Sequence, residues 1–284
     1  MITIYAPAKI NLTLEVLGKR ADGYHEVRSI IQAISLEDIL AFEEADKLEF
    51  HSGSSEWIIE KSLVSKAADL LIKTTGVKRG AYITVEKHIP LLSGLGGDSS
   101  DAAATLLGLN GIWKLGLYYQ QLLPIAKELG SDVAFFLDGG TAMVAGRGEE
   151  VTIIPLMPHH WVVLMVPVVP RLPGKTGLMY KSLTPDHYTD GHFTGKMVEV
   201  LESGKEFDPG MMFNVFEKIA FNVYPGLDTV RQNMIKLGVP DIHLAGSGPT
   251  LFSLFREKKE AEKIYSHLKR QGLESYLVET LTVG

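Results

Sequence analysis

HIPLLSGLGGDSSD, running from His88 to Asp101, joins an alternating stretch to an apolar one through three glycines and three serines. Upstream, Ala81, Ile83 and Val85 alternate with Tyr82, Thr84 and Glu86, the period of a half-buried strand. Downstream, Ala102, Leu106, Leu109 and Trp113 recur at helical spacing. Strand, glycine turn and helix are thus predicted in series. Gly94, Gly96 and Gly97 free the backbone to take positive φ and to approach a ligand, Ser99 or Ser100 is placed to cap the helix, and Asp101 suits its first turn. Amides left unpaired at such a helix start face an anion. A plain connecting loop is the competing reading of a bare glycine-rich run. The four features in order favour a phosphate cradle.

Counting excludes two other phosphate motifs. A dinucleotide fingerprint needs a third glycine where Ser99 stands. Gly174, Lys175 and Thr176 imitate the end of a P-loop, but the earlier glycine that motif needs would sit at Val169.

The 284 residues leave room for one large or two ordinary domains, and 45% hydrophobic with 22% charged residues is an ordinary soluble composition. A net charge of −6 argues against nucleic acid held by bulk electrostatics and leaves a small molecule as the expected partner. The absence of cysteine removes disulfides, thiolate zinc sites and cysteine nucleophiles. The N-terminus lacks a secretory pattern, and the longest apolar run, Trp161 to Pro170, is too short to span a bilayer. A cytoplasmic protein without a membrane partner is expected.

Along the chain, Ile2 to Val16 reads as a strand with Ile10, Leu12, Leu14 and Val16 on one face and Asn11, Thr13 and Glu15 on the other. Lys9 lies at its entry; surface lysines are common, but this one stands beside Asn11 behind the stiffening Pro7. Tyr24 and His25 follow a turn and offer a stacking surface and a hydrogen-bonding edge, or are ordinary loop residues. Val27 to Phe50 suggests two strands about an acidic turn, and Leu63 to Ile72 and Leu122 to Leu129 suggest helices. Asp132, between a helix end and the apolar Val133 to Phe136, is placed either to cap a turn or to be held as a general base.

A boundary is expected near Pro155 to His160, giving domains 1–156 and 157–284. His159 and His160 lack helical spacing and a nearby acid, and read as loop residues rather than metal ligands. Thr184 to Asp208 reads as polar and irregular, and Val215 to Val223 as a helix stopped by Pro225. HLAGSGPTLFSLF, from His243, reads as strand, glycine turn and strand, then a helix. An α+β fold in two layers follows.

Three separated motifs, PAKINL, PLLSGLGGDSSDAA and LAGSGPTLF, together resemble those of the GHMP kinases. GYHEV, LGSDVAFFLDGGTAMVAGRGE and NVFE narrow the resemblance to the branch whose acceptor is a cytidyl diphosphate. The resemblance covers nearly the whole chain. It implies a two-domain α+β GHMP kinase fold, an active site in the interdomain crevice, and transfer from ATP, with Mg²⁺, to the 2-hydroxyl of a methylerythritol moiety in non-mevalonate isoprenoid precursor synthesis. Asp132 would be the catalytic base and Lys9 its charged partner. Leu92, Ser93, Gly94, Leu95, Gly96, Gly97, Asp98, Ser99 and Ser100 would form the ATP loop, with Gly246 and Ser247 in the third motif. Tyr24 and His25 would hold the cytosine, and Asn11, Thr176 and Tyr180 the rest of the acceptor. The resemblance leaves the metal ligands open. The chain departs from the pattern at Asp98, where a glycine is usual, at Leu92 and Ser93 in place of a small pair, and at Ser62 and Arg147.

Overall fold

The computed structural model describes residues 1–170 and 174–282. Its frame is a pair of long antiparallel strands, β1 (Ile2–Lys19) and β2 (His25–Ala45), in register from Ile2 opposite Phe42 to Lys19 opposite His25. The register shifts at Pro7/Ala8, Asn11/Thr13 and Val16/Gly18. Such irregularities bend and twist a long ribbon, which lets one pair of strands serve two layers.

The predicted alternation of β1 holds, but its consequence differs. Asn11, Thr13 and Glu15 are as buried as Ile10, Leu12 and Leu14, because later parts of the chain cover that face too. Thr13 meets Thr194 at 2.9 Å between hydroxyls, and Glu15 accepts the Thr194 N–H at 2.7 Å. Polar side chains buried in this way are satisfied by partners rather than by water.

β3 (Leu48–Ser52) runs parallel to β4 (Gly80–Glu86), which pairs with the C-terminal part of β2. α1 (Leu63–Thr75), α2 (Gly97–Ile112) and α3 (Tyr119–Leu129) supply apolar residues to one core with these strands. α2 is buried nearly all round, as expected of a helix without a polar face. Its Gly108 admits Phe42, since a Cβ there would lie 2.3 Å from the ring. β5 (Thr141–Ala145) pairs with β2 from Ser29 to Gln32, and β6 (Glu150–Ile153) with β5.

The second sheet has the order β11–β7–β10–β9, all antiparallel: β7 (Trp161–Met165), β9 (His243–Leu244), β10 (Leu251–Phe255) and β11 (Ser275–Glu279). α8 (Lys258–Arg270) lies against it with Ala261, Ile264 and Leu268 buried. The short β8 (Phe213–Asn214) runs parallel to β1 at Thr13 and Leu14, so the large sheet gains a strand from the C-terminal half. The remaining helices are α4 (Lys175–Lys181), α5 (His192–Glu202), α6 (Glu217–Val223) and α7 (Leu227–Lys236).

The stretch Thr184 to Asp208, expected to be irregular, contains α5. Gly191 in the left-handed region starts it, and Thr194, Met197 and Leu201 form a narrow buried stripe. No helix of the described residues is long and apolar enough to cross a membrane.

Candidate active site

β4, the glycine loop and α2 follow in series, but the serines do not cap. Gly96, at φ 80°, occupies the N-cap position, α2 begins at Gly97 in ordinary helical conformation, and no side chain caps it. Positive φ falls at Leu92, Gly94 and Gly96 rather than at Gly97. Starting the helix this early places Ser99 and Ser100 inside its first turn and leaves amides at its N-terminus without a side-chain partner, the arrangement that favours anions.

The loop is held from both sides. Lys9 donates its backbone N–H to the Leu95 carbonyl at 2.9 Å, and the Thr250 N–H reaches the Ser93 carbonyl at 3.2 Å. Gly94 lies against the third motif: a Cβ there would be 2.2 Å from the Ala245 carbonyl oxygen and 2.9 Å from that of Gly248. Gly96 is pressed by Phe136 and by the stem of Lys9, at 2.9 and 3.0 Å from an added Cβ.

Between loop, β1 and third motif lies a cavity of about 280 Å³. Lys9 and Asn11 line it from β1, Leu92, Ser93, Gly94, Gly96, Gly97, Asp98 and Ser99 from the loop, and Asp132 from the turn after α3. Thr176 and Tyr180 enter from α4, and Gly246 and Ser247 from the third motif. Two loop residues point elsewhere. Leu95 is in the apolar core, and the Ser100 hydroxyl is buried with no hydrogen-bond partner among the described residues.

Tyr24 and His25 do not line the cavity. Tyr24 is exposed under the Arg147 guanidinium, 4.9 Å from its ring centre. His25 stacks on Tyr180, with centroids 5.1 Å apart and 23° between planes, and Tyr180 connects it to the cavity. Ser62 is accounted for locally, since its hydroxyl caps α1 by accepting the Val64 N–H at 3.1 Å.

Lys9 donates to Asn11 Oδ1 at 2.8 Å, and its Nζ lies 3.9 Å from Asp132 Oδ2. Burial pulls the Lys9 ammonium below its ordinary pKa, and the Asp132 charge opposes that shift. Asn11 passes the network on to the Ser29 hydroxyl at 2.9 Å. Thr176 and Ser247 meet at 3.1 Å, and Tyr224 donates to the Ser247 carbonyl at 2.8 Å. Asn214 holds the third motif by donating to Leu244 and Gly246 carbonyls, both at 2.8 Å.

Two features escaped the sequence reading. Asp101, expected to serve the helix dipole, is buried in an ion triad: Lys87 donates to Asp101 at 2.6 Å and also to Asp38. Asp38 also accepts the His88 and Ile89 N–H groups, at 2.5 and 2.8 Å, so the triad anchors the entry to the glycine loop. Burial, with Asp38 and Asp98 adding to it against Lys87, raises Asp101 well above the usual carboxylate range. Burial alone would lower Lys87, but Asp101 and Asp38 outweigh it and raise its pKa. The second feature is Lys175, at the first position of α4 and 7% exposed, which lines the cavity and donates to the Gly248 carbonyl. The sequence shows the KT pair, but without the earlier glycine of a P-loop nothing local marks Lys175 as a cavity residue.

Among the described residues, the group with metal-ligand spacing is Glu15, Asp190 and His192, which lies outside the cavity. Glu15 there accepts α5 backbone amides, and Asp190 pairs with His192 at 2.5 Å. His159 pairs with Glu279, and His160 is buried with Nδ1 against the Pro158 carbonyl.

Residues 62–140 match the GHMP kinases N terminal domain, and residues 197–273 the GHMP kinases C terminal domain. The chain is 49% identical over 281 residues, 99% of both chains, to 4-diphosphocytidyl-2-C-methyl-D-erythritol kinase of Dehalococcoides mccartyi. It is 39% identical to the enzyme of that name from Listeria monocytogenes over 290 residues, covering 100% of this chain and 97% of the relative. A crystal structure of 4-(cytidine 5'-diphospho)-2C-methyl-D-erythritol kinase superposes with a TM-score of 0.82 at 32% identity, covering 98% of this chain and 99% of the other. A homoserine kinase from Cytophaga hutchinsonii shares the fold, with a TM-score of 0.76 at 21% identity and coverage of 99% and 95%. The chain belongs to the GHMP kinases and, within them, to the 4-diphosphocytidyl-2-C-methyl-D-erythritol kinase family.

Proposed function

We propose that this chain transfers the terminal phosphoryl group of ATP to the 2-hydroxyl of 4-diphosphocytidyl-2-C-methyl-D-erythritol, giving the 2-phosphate and ADP, with Asp132 as general base and Lys9 as its cationic partner. The observation that carries the assignment of these residues is the Lys9–Asp132 pair, 3.9 Å apart in a cavity walled by the glycine loop and the third motif. Phosphoryl transfer asks little covalent chemistry of a protein, so alignment and charge placement dominate. The Asp132 carboxylate receives the proton of the attacking hydroxyl. Lys9, tied to Asn11, offers positive charge where it builds on the phosphoryl oxygens.

The uncapped start of α2 and the turn from Leu92 to Gly97 receive the ATP phosphates. In this reading Leu95 and Ser100 shape the loop from behind, through the Leu95 carbonyl and core packing. Asn11, Thr176 and Tyr180 face the acceptor, and Tyr180 leads to His25 and Tyr24 at the proposed cytosine end. Mg²⁺ fits the oxygen donors Asp98 and Ser99 at the cavity wall, which would hold it together with phosphate oxygens. Bound there, it would neutralise phosphate charge. It also gives Asp98 a place that a carboxylate beside phosphates otherwise lacks.

The proposed domain boundary falls at 156/157, between the end of β6 at Ile153 and the start of β7 at Trp161. The proposed setting is the cytoplasm, without nucleic acid or membrane partners, as the acidic balance suits. ADP release, coupled to a reporter reaction, is to be measured with the cytidyl acceptor, its uridyl counterpart, homoserine and mevalonate. The cytidyl compound is expected to give the highest specificity constant, with its product carrying phosphate at the 2-position. Faster turnover of homoserine or mevalonate would overturn the assignment.

A further inference from the structure

We infer that Lys175 is an anion-binding residue of this site, its ammonium taking an oxygen of the terminal phosphate of ATP at the seam between the glycine loop and the third motif. This rests on the proposed ATP-dependent transfer and goes beyond it by adding a third cation to the site.

Lysines are seldom fully buried unless paired, because removing the charge from water is costly. Of the three lysines lining the cavity, Lys87 has two carboxylates, and Lys9 has Asn11 with Asp132 at 3.9 Å. Lys175 is as secluded as these, yet its hydrogen bond among the described residues goes to a neutral carbonyl, that of Gly248.

Charged groups face it from several elements. Lys9, Lys87, Asp98 and Asp132 share the main cavity with it. Glu56 and Glu274 share a second cavity, of about 380 Å³, lined also by Lys87 to Ser93. Asp132 pairs with Lys9, and among the described residues no ion pair joins Lys175 to Asp98, Asp132 or Glu274. Burial, followed by the Lys9 charge, lowers its pKa to about 7. Among the described residues the buried Lys175 amine thus has no counter-charge, and an anionic ligand would supply one.

Placement selects the anion. The carbonyl that holds Lys175 is the one that a Cβ at Gly94 would approach to 2.9 Å, so the ammonium is tied to the junction of the loop with the third motif. It lines both cavities, which share the entry to the loop from Ile89 to Ser93. An ammonium at that junction, in the same cavity as Lys9 and Asp132, sits where a nucleotide phosphate meets the acceptor. That phosphate is the terminal one.

Calorimetric titration of the full chain with MgATP and with MgADP at about pH 8, in two buffers of different ionisation enthalpy, reads affinity and proton uptake together. Lys175 is largely neutral at that pH, so capture of the terminal phosphate restores its proton. The unaltered protein is expected to take up more protons with ATP than with ADP. Lys175→Met should lose that difference and bind ATP about tenfold to a hundredfold more weakly, the range of a charge-assisted hydrogen bond, while ADP affinity stays within about twofold. Lys175→Arg, always charged, should bind ATP without the extra uptake. Should Lys175→Met not fold, the ATP-over-ADP difference in the unaltered protein and its loss in Lys175→Arg decide the matter.

Equal ATP affinity and equal proton uptake in the methionine variant would overturn the inference while leaving the proposed reaction standing. So would a loss confined to the cytidyl acceptor, which would assign Lys175 to the acceptor's diphosphate. Failure of the unaltered protein to bind ATP at all would overturn both.

Discussion

Lys9 and Asp132 face each other across 3.9 Å with unequal access to water, the lysine side chain 5% and the aspartate 37% exposed. The exposed partner is open to the cavity, where an acceptor hydroxyl can reach it. The secluded one is fixed by Asn11 and by the packing of its stem against Gly96. A base that must release and receive a proton needs access, whereas a fixed charge is more effective when water is kept away.

Replacing Lys9 by methionine keeps the stem that packs against Gly96 and removes the charge. Turnover is expected to fall by about 10²- to 10³-fold, the scale of losing one preorganised donor, with a smaller change in ATP affinity. Steady-state kinetics beside direct binding separates the two; equal losses in both would make Lys9 a binding residue only.

Gly96→Ala tests the close approach of loop to Lys9 and Phe136. At φ 80° any side chain is strained, and its Cβ would meet the Phe136 ring at 2.9 Å. A loss of about 1 to 3 kcal/mol in unfolding free energy is expected, with reduced turnover because the lysine stem must shift. Denaturant unfolding and kinetics on the same preparation check both parts.

Lys87→Met leaves Asp38 and Asp101 buried together without their cation. Breaking a buried ion pair from one side destabilises by about 3 to 5 kcal/mol. Adding Asp101→Asn should recover part of that, since one buried charge is then removed. If the double variant is as unstable as the sum of the two single changes, the triad is not an electrostatic unit.

Lys175 gives a pH dependence whose sign follows from its depressed pKa. Folded, it titrates at about 7; unfolded, at its ordinary 10.5. Between these values the unfolded chain binds the additional proton, so the group's contribution to stability rises with pH, and its penalty is fully present below about pH 7. Ligand-free Lys175→Met should therefore gain most over the unaltered protein near pH 6.5 and keep only roughly half of that advantage at about pH 9, the rest being lost as the pH approaches 10.5. Urea midpoints at the two pH values provide the check; an advantage that grows with pH would contradict it.

The strand, turn and helix around Gly94 to Ser100 were legible because each rests on local chemistry. Ala81, Ile83 and Val85 alternate and are fully buried, and Ala102, Leu106 and Leu109 repeat at helical spacing and are fully buried. The expected serine cap is absent because Gly96 adopts the left-handed conformation and starts α2 before the serines. Lys87 and Asp38 are 49 residues apart, and no local pattern announces a pairing that depends on how β2 and the end of β4 meet. The burial of Asn11, Thr13 and Glu15 was hidden for the same reason, since alternation tells which residues share a face and not what later covers it. α5 has little periodicity to announce it because its buried stripe is one residue wide, from Thr194 to Met197 to Leu201, among polar neighbours.

The most direct measurement is made on Asp132→Asn, which keeps the shape of the side chain and removes its capacity to accept the proton. Affinities for ATP and for the cytidyl acceptor should stay close to those of the unaltered protein, while turnover falls by about 10²- to 10⁴-fold. An Asp132→Asn protein that binds both ligands and turns over at a near-normal rate would contradict the assignment of Asp132 as base.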